Sequence, residues 1–430
     1  MNMLLIAPAG LCMFFIVRYF SRLTKLEPAL LYLLAGAVIR MLLHHFHKGE
    51  LTDVFPAMEK YNSMALMFMF FTAGFAVNVK QLKKSGKTTA KLIVLPGYAE
   101  TAIMSVVIYF VLRYIPVQGI SLSYAEALII AGIFAVSSAA NIIPLCTGII
   151  QRGHTGKNNI PGTMITVSVV DGFITVPVVF VAVMLLLAEN TGREMNLLTV
   201  TVMTVLTLAC IVLAIVLGLL LGRIHLLLSR GVFRKLSVKG QSTFADYSLI
   251  FFAFFMALLL GLLVHEVHSI REAVSVFGIL IMWGIGLALK NYDQTGASEI
   301  VKRKGPGIFQ MLGMPVIFVY VGSVIDTERL LDPELLLILA GITFLAVVVK
   351  GAMGRFVLRG DMYTEGERRF VSRCFIPKGV SLINFTVLFS EILGNNQELI
   401  SFMSMVAAAG ILITMTWGIP LIRKAEAGLE

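Results

Sequence analysis

The stretch from Leu197 to Gly222 holds no charged residue, and comparable apolar runs recur along the chain. About 20 helical residues cross the hydrocarbon core of a bilayer. Because nothing in that medium can hydrogen-bond a free N–H or C=O, each run is restricted to a spanning helix. Thirteen spans are expected, with approximate centres in 2–19, 28–46, 61–79, 92–113, 124–149, 161–187, 197–222, 246–265, 271–289, 306–325, 333–354, 370–393 and 399–421. Apolar residues make up 58% of the chain and charged residues 14%, where a soluble domain carries about a quarter charged. The expected class is an all-α polytopic membrane protein, a single transmembrane domain with no soluble regulatory domain. The first run has no basic start and no small-residue cleavage pattern, so it counts as a span rather than a secretory signal. Cys12, Cys146, Cys210 and Cys374 fall in four different spans. They have neither metal nor disulfide spacing and read as small apolar fillers.

The net charge of +10 raises the question of a nucleic-acid partner, and the positions of the basic residues answer it. They gather in alternate loops: Arg18, Arg22 and Lys25 after span one, Lys80, Lys83, Lys84, Lys87 and Lys91 after span three. Arg152 and Lys157 follow span five, and Arg223, Arg230, Arg234, Lys235 and Lys239 follow span seven. Lys290, Lys302, Arg303 and Lys304 follow span nine, and Arg355, Arg359, Arg368 and Arg369 follow span eleven. The other loops are poor in Lys and Arg and carry acids such as Glu189, Glu194, Asp326, Glu328, Asp332 and Glu334. By the positive-inside rule the basic loops are cytoplasmic, the amino terminus outside and the carboxyl terminus inside. The basic partner is therefore a membrane, and no nucleic acid is expected.

Thirteen spans divide as six, one and six, and the odd linker inverts the second half relative to the first. Inverted repeats of this kind build secondary transporters, whose sites lie near the midplane beside broken helices. The fifth span of each half carries a matching signal. AVSSAANIIP, Ala135 to Pro144, and IPKGVSLINF, Ile376 to Phe385, both put small, polar and helix-breaking residues at membrane depth. Freed backbone groups are tolerable there only beside protein or a water-filled cavity. Close helix packing by small residues is the alternative for either segment alone; matched positions in both halves favour two crossed discontinuous helices.

Asp171, inside VSVVDGFITVPVV, is one of the charges left in the membrane, with Lys350 in span eleven and Lys378 in the Pro377-Lys378-Gly379 interruption. A charge at the bilayer centre costs at least about 3 kcal/mol on insertion scales and so marks a pairing or a function. Asp171 reads as an ion or proton site, or else as a structural partner of Lys350. Glu100 in span four is a second acid, at less certain depth because Pro96-Gly97 precedes it. Arg40, His44, His45, His47, Arg113 and Arg223 lie near span ends and can snorkel to water. No Gly-rich phosphate loop, paired His/Cys metal spacing or nucleophile elbow is present, so no enzyme and no cofactor is expected.

These residues together resemble the monovalent cation:proton antiporter superfamily over nearly the whole chain. NSMALMFMFFTAGFAVNVKQLKKSG, Asn62 to Gly86, is similar to that family's third span with its Phe-x-x-Gly element and basic loop. VSVVDGF resembles the sixth-span motif that carries the ion-binding acid, VVVKGAMGRF the eleventh span with its embedded Lys or Arg, and FIPKGVSLINFTVLF the broken twelfth. Two departures stand out: Val170 occupies the position of the family's Asn or Asp before the binding acid, and the fifth span has Ser137, Ser138 and Asn141 in place of a Thr-Asp step.

The resemblance implies exchange of Na⁺ or K⁺ for protons by alternating access, at a carboxylate that holds either one. Asp171 would be that carboxylate and metal ligand, with Ser137, Ser138 and Asn141 completing its oxygen shell and Lys350 compensating charge. Lys378 would offset the facing helix ends of the break. Thr166, Ser168, Ser381 and Asn384 are secondary candidates beside Glu100. Residues 61–187 and 306–421 would form the ion-binding core, and 1–46 and 197–289 the scaffold of a homodimer in a bacterial inner (plasma) membrane. Without an acid at Val170, electroneutral one-for-one exchange is expected. A sodium-coupled symporter of a small organic anion is the alternative on the same architecture, with Lys378 facing the substrate; a non-transporting sensor or a channel comes third.

Overall fold

In the computed structural model the described residues are 3–24, 28–46, 79–115, 122–190, 197–228, 271–292, 313–324, 332–379 and 397–429, with scattered positions in 65–77, 252–259, 311 and 382–386. Among them every regular element is helical: α1 Met3–Thr24, α2 Pro28–Phe46, α3 Val79–Tyr114, α4 Tyr124–Phe134, α5 Ala139–Gln151, α6 Ile160–Asn190, α7 Leu197–Leu228, α8 Arg271–Tyr292, α9 Met314–Val324, α10 Pro333–Val357, α11 Glu365–Cys374 and α12 Gln397–Glu426, followed by a 3₁₀ turn at Ala427–Leu429. Spans two, six, seven, nine and eleven coincide with α2, α6, α7, α8 and α10 to within a few residues. Most of span eight and about half of span three lie outside the described residues. Side chains such as Leu206, Val212, Leu213 and Leu220 on α7 stay exposed, as expected of a helix whose surroundings are acyl chains.

The lysines expected to form a loop after span three are helical instead. α3 begins at Val79, is interrupted at Gly86, where φ is +37°, and resumes through Tyr114. Lysine is a good helix former, and only the left-handed glycine separates this basic piece from the apolar span.

The chain divides into two compact units, residues 1–79 with 209–324 and residues 80–208 with 325–430.

In the first unit helices meet backbone to backbone. A Cβ added at Gly36 of α2 would lie 2.2 Å from the Val319 carbonyl oxygen of α9, and one at Gly322 of α9 would lie 2.1 Å from the Leu33 carbonyl oxygen. α7 and α8 approach as closely, with Gly218 against Ile281 and Gly284 against Ile215. Small residues that admit such approach are the usual glue of helices in lipid. Asn291 ties α8 to the start of α3, donating to the Val77 carbonyl at 3.0 Å and accepting from the Val79 N–H at 2.9 Å.

In the second unit α4 and α5 pack on α6, and α10, α11 and α12 pack on one another. α4 starts at a capping box in which the Ser123 hydroxyl accepts from the Glu126 N–H while Glu126 accepts from the Ser123 N–H. α10 starts at Asp332, whose carboxylate accepts from the Glu334 N–H at 2.9 Å, with Pro333 in the first turn. α11 has a second capping box, Thr364 with Glu367. Glu367 is buried and also accepts from the Asn158 N–H at 2.9 Å, so it joins α11 to the turn before α6. Arg152 and His154 in that turn meet Glu426 at the end of α12, each at 2.8 Å.

Candidate ion-binding site

Span five is two helices. α4 ends at Phe134, the four residues Ala135 to Ser138 are not helical, and α5 begins at Ala139. Asn141 and Pro144 belong to the second helix rather than to the break. In span twelve α11 ends at Cys374, and Phe375 to Gly379 run without helix. The two breaks touch through backbone: the Ser138 N–H donates to the Pro377 carbonyl at 3.3 Å. Gly379 makes the approach possible, since a Cβ there would lie 2.0 Å from the Ser138 hydroxyl and 2.8 Å from its Cβ. The Lys378 N–H, freed by the break, finds the Thr414 hydroxyl of α12 at 2.9 Å, as a buried backbone donor must.

Four charged side chains surround this crossing, none more than 1% exposed: Asp171 on α6, Lys350 on α10, Glu100 on α3 and Lys378. Lys350 Nζ donates to Asp171 Oδ2 at 2.9 Å, as the sequence expected, and also to the Ala135 carbonyl of the first break. Lys378 Nζ donates to Glu100 Oε1 at 2.6 Å. Lys378 is thus one half of an ion pair, and its partner Glu100 is completely buried. The pairs communicate, since Lys350 Nζ lies 3.7 Å from Glu100 Oε2. Each ammonium also faces a ring at one of the breaks, Lys350 over Phe375 at 5.3 Å and Lys378 over Phe134 at 5.1 Å. Buried cations over aromatic faces gain electrostatic attraction where water cannot compete.

Three oxygens in the cluster are buried without a hydrogen bond: Asp171 Oδ1, Glu100 Oε2 and Ser137 Oγ. Native interiors rarely leave such atoms unsatisfied, and oxygens are the ligands hard cations take. At the start of α5 the Asn141 amide donates to the Ser138 hydroxyl at 2.8 Å, a bond that uses neither the Asn141 amide oxygen nor the Ser138 O–H. Thr166 and Ser168 are buried on α6 before Asp171, and the Ser168 hydroxyl donates to the Ile165 carbonyl at 3.0 Å. Ser381 and Asn384 lie outside the described residues.

Val170 packs against a hydrophobic cluster that includes Val167, Cys146, Cys374 and Phe375. An apolar residue therefore suits its surroundings, although the sequence marked it only as a departure. Cys146 and Cys374, spans apart in sequence, are both buried in that same cluster. Sequence spacing missed that adjacency. It also missed Ala135, whose carbonyl holds Lys350; the last residue before a helix break has a carbonyl without an intrahelical donor, and that was the available signal.

Two non-helical segments meeting beside a wholly buried set of carboxylates and ammonium groups form an arrangement suited to the broken-helix class of membrane transporters. The sodium/hydrogen exchanger transmembrane family matches residues 11–424, and the chain belongs to that family. No curated protein matches the chain. Among solved structures the fold is similar to that of the sodium proton antiporter MjNhaP1 from Methanocaldococcus jannaschii at pH 8, with 18% identity, 99% of this chain and 97% of that chain covered, and a TM-score of 0.70. An electron-microscopy structure of the same antiporter matches at 18% identity over 99% and 96% of the two chains, with a TM-score of 0.65. Family and fold together support a membrane protein that exchanges a cation for protons.

Proposed function

We propose that this protein exchanges Na⁺ or K⁺ for protons by alternating access, and that Asp171 is the carboxylate for which the two compete. The observation that carries the reading is the state of Asp171: fully buried, one oxygen held by Lys350 and the other without a partner, beside a backbone crossing whose Ser137 hydroxyl is also unpartnered. A carboxylate placed so can take a proton or, with Ser137, a hard monovalent cation, but not both. If only an occupied site crosses the membrane, each gradient drives the other ion. The organic-anion symporter loses its candidate, because Lys378 is already paired with Glu100. A fluorescent pH assay in everted vesicles, challenged with Na⁺, K⁺ and Li⁺ in turn, tests the proposal; dissipation of the pH gradient by none of them would end it.

The same proposal includes the six-one-six inverted repeat, an outside amino terminus, and a homodimer through the scaffold of residues 1–46 and 197–289 in a plasma membrane. Cysteines placed at Thr88 and Asp361 should react with an impermeant reagent from the cytoplasm, and one at Glu334 from outside. Labelling of all three from one face would overturn the orientation.

A further inference from the structure

Glu100 is bound at one oxygen and open at the other. Oε1 accepts from Lys378 at 2.6 Å, while Oε2 has no hydrogen bond and lies 3.7 Å from the ammonium of Lys350. Lys350 in turn sits among acceptors from three elements: Asp171 Oδ2 on α6, the Ala135 carbonyl at the first break, and Glu100 Oε2 on α3. Three oxygens around one positive charge are also what a small monovalent cargo ion would need. If a cation takes the Asp171 and Ala135 oxygens, the ammonium must leave them. A buried ammonium with no acceptor costs several kcal/mol.

We propose that Glu100 is the second seat of Lys350: when the cargo cation occupies Asp171, the Lys350 ammonium moves onto Glu100 Oε2, while Lys378, paired with Oε1, offsets part of the charge that draws it there. The inference rests on the assignment of Asp171 as the cation site. Glu100 is thus a positioning residue, acting through Lys350. With a proton on it Asp171 is a neutral acid and no counter-ion, so Lys350 takes the Glu100 carboxylate in the proton-loaded half as well and stays an ammonium in both halves of the cycle. The cluster of Glu100, Asp171, Lys350 and Lys378 then carries the same charge with one cation as with one proton on Asp171. Exchange is one for one and moves no net charge.

Glu100→Gln removes the second seat, so Lys350 competes harder for Asp171, and the apparent KM for the cation should rise about tenfold, the order expected for losing one charged acceptor. Lys378→Met frees Glu100 to attract Lys350 more strongly, and KM should fall. A role confined to pairing Glu100 with Lys378 would shift both variants the same way. Glu100→Asp keeps the charge but draws the carboxylate back by one methylene, so KM should rise as in Glu100→Gln, whereas a through-space field alone would leave it near wild type. If Glu100→Gln alone does not fold, Glu100→Gln/Lys378→Met removes both charges together and should still show the raised KM.

All variants would be reconstituted and read for cation-driven pH change and for current on solid-supported membranes. Wild-type exchange without current, with KM moving in these opposite directions, supports the second seat. Wild-type exchange that carries current, or an unchanged KM in Glu100→Gln, overturns it while leaving antiport at Asp171 standing. A silent wild type removes the antiport reading and the second seat together.

Discussion

The two compact units are assembled by different chemistry. In the first, glycines bring backbones into contact, Gly36 and Gly322 between α2 and α9, Gly218 and Gly284 between α7 and α8. In the second, the described residues include five buried Asp, Glu or Lys side chains, Glu100, Asp171, Lys350, Glu367 and Lys378; the first has none among its own. Dispersion between close-packed backbones is short-ranged and vanishes with a small displacement, which suits a part that keeps one arrangement. Buried charges interact over a longer range and can exchange partners, which suits a part that must change occupancy.

The sharpest test of this contrast is Asp171→Asn, which preserves volume and hydrogen-bonding outline but deletes the charge. The variant should express and fold, because Lys350 keeps the Ala135 carbonyl and Glu100 as neighbours, and it should show no cation-driven pH response at any pH. Asp171→Glu should retain a partial, shifted activity. Normal exchange by the purified Asn variant would make Asp171 merely structural.

Gly322→Leu probes the other unit and should act on stability instead. Its side chain must displace the Leu33 carbonyl, an overpacking that costs about 1–3 kcal/mol. The melting temperature in detergent should fall, while the surviving protein keeps the wild-type KM. A shift in KM as large as that of Glu100→Gln would mean that the units do not divide the work as their chemistry indicates.

The smallest effect is expected outside both contrasts, at Glu365, whose exposed carboxylate meets Arg355 and, at 3.0 Å, Arg369. Glu365→Ala should change stability by less than about 1 kcal/mol and leave transport untouched. A larger loss in a thermal melt would show that this exposed pair carries weight that water ordinarily removes.

Much of the architecture was legible because hydropathy is local. α2 occupies residues 28–46 as the apolar run does, and one helix break falls at Ser137 and Ser138 and the other at Pro377 and Gly379, within the segments whose residue types pointed to them. The buried charges were legible for the opposite reason, since each stands against its surroundings at a cost. Their pairing was less so: Lys378 and Glu100 are 278 positions apart, and nothing in either neighbourhood names the other. Ser138 and Asn141, three positions apart beside a helix start, form the local bond that Ser and Asn tend to form, a detail that residue type alone did not give.

The contact between the two breaks also bears on how far such a chain can drift. The Ser138 N–H meets the Pro377 carbonyl through main-chain atoms, which any non-proline residue at the donor position would supply equally well. The geometry of the joint is therefore nearly indifferent to the side chain at the donor position; what it requires is an empty space, the place at residue 379 where no Cβ grows.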